Sequence, residues 1–168
     1  DYDCRPKGTC EHGTIIALAQ RVYENHCGSC DTGYALSAAT PPTCDAVACN
    51  NGVIATDKSE CTCSTGYTGG GSWVESTRTY PACTAVTCDN GAIATDRSEC
   101  TCSTGYTGGG SWAGDTRTYP ACTAVTCDNG AIANDKSECT CNTGYTGGGN
   151  WISQLQAYSP CTAVGCNN

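Results

Sequence analysis

The chain has 168 residues and 18 cysteines but no Phe and no Met, so it lacks the large apolar side chains needed for one sizeable core. Its net charge is −8, with 8 Lys and Arg scattered along it, which argues against a phosphate-tracking nucleic-acid surface. It contains no apolar run of membrane length. The cysteine content is that of a disulfide scaffold and predicts an oxidising compartment, secreted or at a cell surface. The sequence opens at Asp1, as expected after removal of a leader or within a longer parent chain.

Cys49, Cys88, Cys127 and Cys166 stand 39 residues apart, and CTCSTGYTGGGSW occurs verbatim at 61–73 and 100–112. A fixed period of this size marks a tandem array of one small unit. In chain order, 1–44 is a diverged N-terminal Cys-rich module. Residues 45–83, 84–122 and 123–161 are three repeats, and 162–168 (TAVGCNN) starts a further, incomplete one. In the first module CEHGTIIA parallels the CDNGAIAT of the repeats and predicts a longer hairpin. Ile15, Ala19, Val22 and Tyr23 fall at helical spacing, leaving a short helix as the alternative there.

Each repeat follows C-x11-C-x-C-x19-C. The Asn-Gly after its first Cys predicts a turn, GAIATD a short strand, Lys/Arg-Ser a second turn and ECTCST the returning strand. Gly-Gly-Gly at 69–71, 108–110 and 147–149 predicts loops that tolerate positive φ. Only four residues separate modules, such as Thr84-Ala85-Val86-Thr87, which predicts a semi-rigid, elongated rod. The expected fold class is small disulfide-rich β, a tandem array of short β-hairpin modules.

Cys61 and Cys63 are two apart in a predicted strand, so both side chains leave one face, and bonding them together would strain the backbone. Cys61 is expected to return to Cys49 across the hairpin, and Cys63 to close the glycine loop with Cys83. The same rule gives Cys88–Cys100, Cys102–Cys122, Cys127–Cys139 and Cys141–Cys161. In the first module it gives Cys10–Cys27 and Cys30–Cys44. Each closure contributes about 3 kcal/mol on the chain-entropy model. Cys4 and Cys166 are left over as candidates for intermolecular bonds.

CNNG at 49–52 followed by CTCSTGYTG at 61–69 resembles the back half of an EGF-like module. Gly71, Trp73, Pro81 and Cys83 form a G-x-W…P-x-C ending similar to that of a sushi module, whose pairing would be first-to-third and second-to-fourth. Cys27, Cys30, Gly33, Tyr34 and Leu36 form a CxxCxTGYxL motif that resembles Cys-rich modules of protist surface proteins. These resemblances imply extracellular Cys-rich modules and no particular activity. Thr68, Thr107 and Thr146 lie in CxxGYTG, which resembles the O-GlcNAc acceptor motif of EGF modules and makes them candidates for O-glycosylation.

Enzymatic chemistry is not expected. The two histidines, His12 and His26, both lie in the first module, so no repeat holds a Ser-His-Asp or Cys-His set. Cys27-Gly-Ser-Cys30 has the spacing of a redox pair, but structural cystines fit the array better. The same pairing disfavours zinc, which needs reduced thiols. Asp57/Glu60, Asp96/Glu99 and Asp135/Glu138 recur at the hairpin turn but fall short of calcium's six to eight oxygens. No metal and no cofactor are expected. The recurring Tyr67/Trp73/Tyr80, Tyr106/Trp112/Tyr119 and Tyr145/Trp151/Tyr158 are expected to cover the cystines and seal module joints, with an exposed stacking row as the alternative.

These features predict a secreted structural protein, the subunit of an extracellular filament or surface coat. Its partner is a further copy of itself, joined head to tail through Cys4 and Cys166 or by completion of the TAVGCNN module. The alternative, from a different class, is a multivalent adhesin that binds glycan or protein through repeated weak contacts.

Overall fold

The computed structural model describes residues 8–165; Cys4 and Cys166 lie outside them. Apart from a single 3-10 turn at Leu18–Gln20, the regular structure of the described residues is all strand. No helix among them is long and apolar enough to cross a membrane. The chain divides into two compact units, Asp1–Ala85 and Val86–Asn168.

The first unit opens with two antiparallel pairs. Strand β1 (Gly13–Ile15) pairs with β2 (Cys27–Cys30), and β3 (Tyr34–Leu36) with β4 (Cys44–Ala46). Repeat 1 contributes β5 (Gly52–Ile54), β6 (Glu60–Cys63), β7 (Tyr67–Gly69), β8 (Gly71–Ser72) and β9 (Cys83–Ala85). They form a three-stranded sheet in the order β5-β6-β8 and a pair β7-β9.

The second unit repeats this plan twice. Strands β10 (Gly91–Ile93), β11 (Glu99–Cys102) and β13 (Gly110–Ser111) form one sheet, with β12 (Tyr106–Gly108) on β14 (Cys122–Ala124). Then β15 (Gly130–Ile132), β16 (Glu138–Cys141) and β18 (Gly149–Asn150) form the next, with β17 (Tyr145–Gly147) on β19 (Cys161–Ala163).

The helical spacing in the first module does not become a helix. Ile15 is drawn into the sheet opposite Cys27, and Val22 and Tyr23 are exposed. An isolated turn of helix is stable only when an apolar face is buried, and this module has no core wide enough to cover one.

The glycine run also does more than loop. Gly69 ends β7 and Gly71 opens β8, which adds a third strand to the hairpin through Glu60 and Cys61. Between them Gly70 has φ +67, and a Cβ there would sit 2.5 Å from the Cys61 carbonyl oxygen and 2.9 Å from Cys63 Sγ. The backbone must therefore lie directly on the cystine. The sequence boundary after Cys83 falls inside β9, because Thr84 and Ala85 complete its pairing with Thr68 and Tyr67.

Sulfur forms the core. Among the described residues the cystines are Cys10–Cys27, Cys30–Cys44, Cys49–Cys61, Cys63–Cys83, Cys88–Cys100, Cys102–Cys122, Cys127–Cys139 and Cys141–Cys161. Within each repeat the two cystines touch: Cys61 and Cys83 Sγ are 3.8 Å apart, as are their counterparts Cys100/Cys122 and Cys139/Cys161. Tyr80, Tyr119 and Tyr158 are each 8 % exposed and close over this sulfur. Each meets its repeat's tryptophan edge-on, Trp73 with Tyr80 at 4.9 Å between centroids. The aromatic triads thus supply cover for the cystines at these two positions.

Because cystine replaces apolar mass, reduction is expected to abolish the fold. Near-UV circular dichroism from the packed tryptophans should collapse in dithiothreitol under otherwise native conditions. A cooperative melt that survives reduction would show instead that Trp–Tyr packing carries the structure.

Candidate functional site

The described residues hold a recurring contact where one module meets the next. It is built from two turns of the later module and one Gly-Tyr strand of the earlier one.

The first turn begins as a local device. Asp57 Oδ1 accepts hydrogen bonds from the Ser59 backbone N–H at 3.0 Å and from Ser59 Oγ at 2.7 Å. These two bonds hold the Asp57 carboxyl below the usual carboxylate range, the hydroxyl contact first. Asp96 and Asp135 are set the same way by Ser98 and Ser137. The recurring aspartates are thus committed to turn geometry. Lys58, between Asp57 and Ser59, takes a left-handed φ of 62°. Its carbonyl accepts from Tyr80 Oη at 2.8 Å, so the buried tyrosine fixes the turn from beneath. Burial first, then the nearby Asp57 charge, raises the Tyr80 phenol pKa, and burial does the same at Tyr158.

The turn projects Lys58 onto the first module. Its Nζ lies 5.9 Å from the centre of the Tyr34 ring, which is also stacked on His12 at 4.1 Å. Neighbouring Gly33 has φ +84, and a Cβ there would come within 2.8 Å of Lys58 Cβ and 3.0 Å of Tyr80 Oη. Glycine is needed here on both counts: conformation and close approach.

The second turn is an arm between β8 and β9, closed by the bridge Val74–Thr79. Arg78 sits at its tip with φ 53°. Its Nη2 donates to the carbonyls of Asp31 and Tyr34, both at 2.8 Å, and to that of Cys30. Its Nε donates to Tyr34 at 3.0 Å. Glu75 pairs with Nη1, and the Trp73 ring lies 5.6 Å from the guanidinium. A planar fork with five donors suits such a cluster of carbonyls; an ammonium does not.

Unit 2 contains the same contact. Lys136 Nζ lies 4.9 Å from the centre of the Tyr106 ring, and Lys136 closes over Gly105, where a Cβ would come within 2.7 Å of Cδ. At the arm tip stands Gln156, with φ 47°, whose Oε1 accepts from the Gly108 N–H at 3.0 Å and from Thr107 Oγ1 at 3.1 Å. Linker valines complete both joints from the other side. Val47 N–H donates to the Gly33 carbonyl and its side chain packs into the cystine core of repeat 1. Val125 does the same from Gly105 into the core of repeat 3.

Among the candidates read from sequence, the sulfurs of Cys49, Cys61 and Cys83 lie within 4.8 Å of one another, as do three in each other module. All belong to bonded cystines, which offer no thiolate to a metal. Thr68, Thr107 and Thr146 are the central residues of β7, β12 and β17. Thr68 and Thr146 are exposed, while Thr107 is half-buried under Gln156. Cys4 and Cys166 lie outside the described residues. Sequence reading missed Lys58, Arg78, Lys136, Gln156 and the valines. Their signal was present: a basic residue recurs at 58, 97 and 136, and the TRTYPAC arm is copied at 77–83 and 116–122.

Replacing Arg78 by Ala leaves three carbonyls without their charged donor and is expected to lower stability by about 1–3 kcal/mol. Lys at this position should restore little of the loss. Gln156→Ala removes neutral bonds only and should cost about 0.5–1.5 kcal/mol. Denaturant midpoints of the oxidised variants measure both; equal effects of the two alanine variants would contradict the assigned role of the guanidinium.

No protein-family model, curated protein or solved structure matches the chain. What the chain itself shows is a Cys-rich tandem repeat of cystine-stapled β-hairpins.

Proposed function

We propose that this chain is a secreted structural repeat protein, the subunit of an extracellular filament or surface coat assembled from copies of itself. The observation that carries this reading is the joint. Two separate units contain the same interlock: a turn lysine over Tyr34 or Tyr106, an arm residue on the preceding module, and a valine seated in the following core. Repeats that lock by one contact extend an array without needing any new surface. The eight cystines fit an oxidising compartment. First-to-second and third-to-fourth pairing within each repeat favours kinship with EGF-like modules over the sushi pattern. The burial of Tyr80, Tyr119 and Tyr158 counts against the adhesin alternative, since a stacking surface for glycans needs exposed rings.

In the filament, head-to-tail contact through Cys4 and Cys166 makes the link between chains covalent. A non-reducing gel of native material should then give a ladder that collapses to one band near 17.2 kDa in reductant. A lone monomer band in both lanes, with no fibres in negative stain, would end the filament reading.

O-linked sugar on the exposed Thr68 and Thr146 hydroxyls would shield the thin modules. Intact mass of native protein should exceed the sequence mass by sugar increments, with peptides placing the sugar on Thr68, and on Thr146 only where no further repeat covers the β17 edge, rather than on the engaged Thr107. A mass equal to the sequence less the disulfide hydrogens contradicts this.

A further inference from the structure

Three Gly-Tyr strands can be compared at the same position, and they fall into two classes. Gly33 and Gly105 are buried beneath Lys58 and Lys136. Tyr106 belongs to the packed cluster of its repeat, and Tyr34 to that of the first module. In repeat 3, Gly144 has nothing within 4 Å of a would-be Cβ, although its φ of +87 matches the others. Tyr145 is 37 % exposed and packs into no cluster. Thr146 and Gly147 are exposed, whereas Thr107 and the Gly108 N–H are held by Gln156.

The linker that leaves repeat 3 is nevertheless set as at the finished joints. Val164 N–H donates to the Gly144 carbonyl at 2.9 Å, the bond that Val125 makes to Gly105 and Val47 to Gly33. Val164 is 57 % exposed, where Val47 and Val125 are packed into the next cystine core. One glycine-tyrosine strand and one oriented valine are thus poised for the contact that each of the two units already contains.

We infer that Gly144, Tyr145, Thr146 and Gly147, with Val164, form an open acceptor for one further Cys-rich repeat of this same type, entered from Gly165. The occupant seats a turn lysine or arginine over Tyr145 and an arm glutamine or arginine on the β17 backbone, and its two cystines enclose Val164. The chemistry of the face selects it. The tyrosine ring attracts a cation. The β17 edge offers an N–H and a hydroxyl that Gln156 already satisfies in the equivalent position at Gly108 and Thr107. The N-terminal module does not qualify. Between β3 and β4 it carries only the short loop 37–43, where the repeats carry the 70–82 segment with its arm, so it has no tip to reach back.

This goes beyond the assembly reading, which joins copies of the chain, by giving the exposed end of repeat 3 a different occupant, a further repeat, and it is tested on soluble chains so that the two fail separately. The 168-residue chain is compared with one in which residues 127–161 are copied after Gly165. Tetranitromethane nitration, mapped by peptide, reports ring access. In the 168-residue chain Tyr145 should react faster than Tyr106. In the extended chain its rate should fall to that of Tyr106, and amide exchange at Gly147 should slow to that of Gly108. Replacing the copied counterpart of Gln156 by Ala should release the Gly147 amide while leaving Tyr145 covered. An extended chain with its cystines mapped and Tyr145 still reactive overturns the assignment. Concentration-dependent protection of Tyr145 in the 168-residue chain also overturns it, because a second copy would then hold the face.

Discussion

Contact between two cystines is the interaction on which everything else here depends. Cys61 and Cys83 belong to different disulfides, yet their sulfurs meet at 3.8 Å, and the same pair recurs in each repeat. A chain without Phe or Met has little other apolar mass to exclude water, and its tryptophans and tyrosines pack onto this sulfur. The neighbouring backbone is shaped to this sulfur. A Cβ on Gly52 would come within 2.5 Å of Cys49 Sγ, and one on Gly70 within 2.9 Å of Cys63 Sγ. Tyr80 and Trp73 then close the remaining side. Each module's interior is therefore a pair of cystines roofed by two rings and walled by glycine.

So small an interior leaves much of each module's surface for its neighbour. The joint uses that surface economically, since the residues that finish one module also begin the next contact. Tyr80 covers the cystines and, through its hydroxyl, holds the Lys58 carbonyl. The turn so fixed places Lys58 over Tyr34. Val47 is bonded to the earlier module through Gly33 and buried in the later one. Core and joint are coupled in this way, and a change at the sulfur would be felt at the interface.

The two joints differ in strength of chemistry and agree in geometry. Arg78 gathers carbonyls with a charged fork, while Gln156 accepts an amide and a hydroxyl with a neutral oxygen. Both arm tips are left-handed and sit one residue before the second member of the bridge, Thr79 or Ala157. The backbone of the arm thus sets where the tip goes, and the side chain sets what it binds. A repeat protein can tune such joints one by one without altering the module.

Much of this was legible in the sequence, and what was not has a common cause. The 39-residue period, the hairpins around Asn-Gly and C-x-C, and a fold stapled by cystine all follow from local chemistry: turn residues, strand alternation and a shortage of apolar mass. Asn-Gly was a sound turn signal, although the left-handed residue is Asn51, and Gly52 is there because two cystines leave no room for a Cβ. The tertiary structure alone decided the rest. Gly71–Ser72 becomes a strand only because β6 lies beside it. Lys58, Arg78 and Val47 read as isolated polar or linker residues because their partners lie in a neighbouring module, outside any local pattern. Tyr106 and Tyr145 occupy identical motifs in sequence; one is covered and the other open because only the first has Lys136 and Gln156 of the following repeat above it. Local sequence fixes backbone and covalent closure, whereas burial depends on what the next module brings.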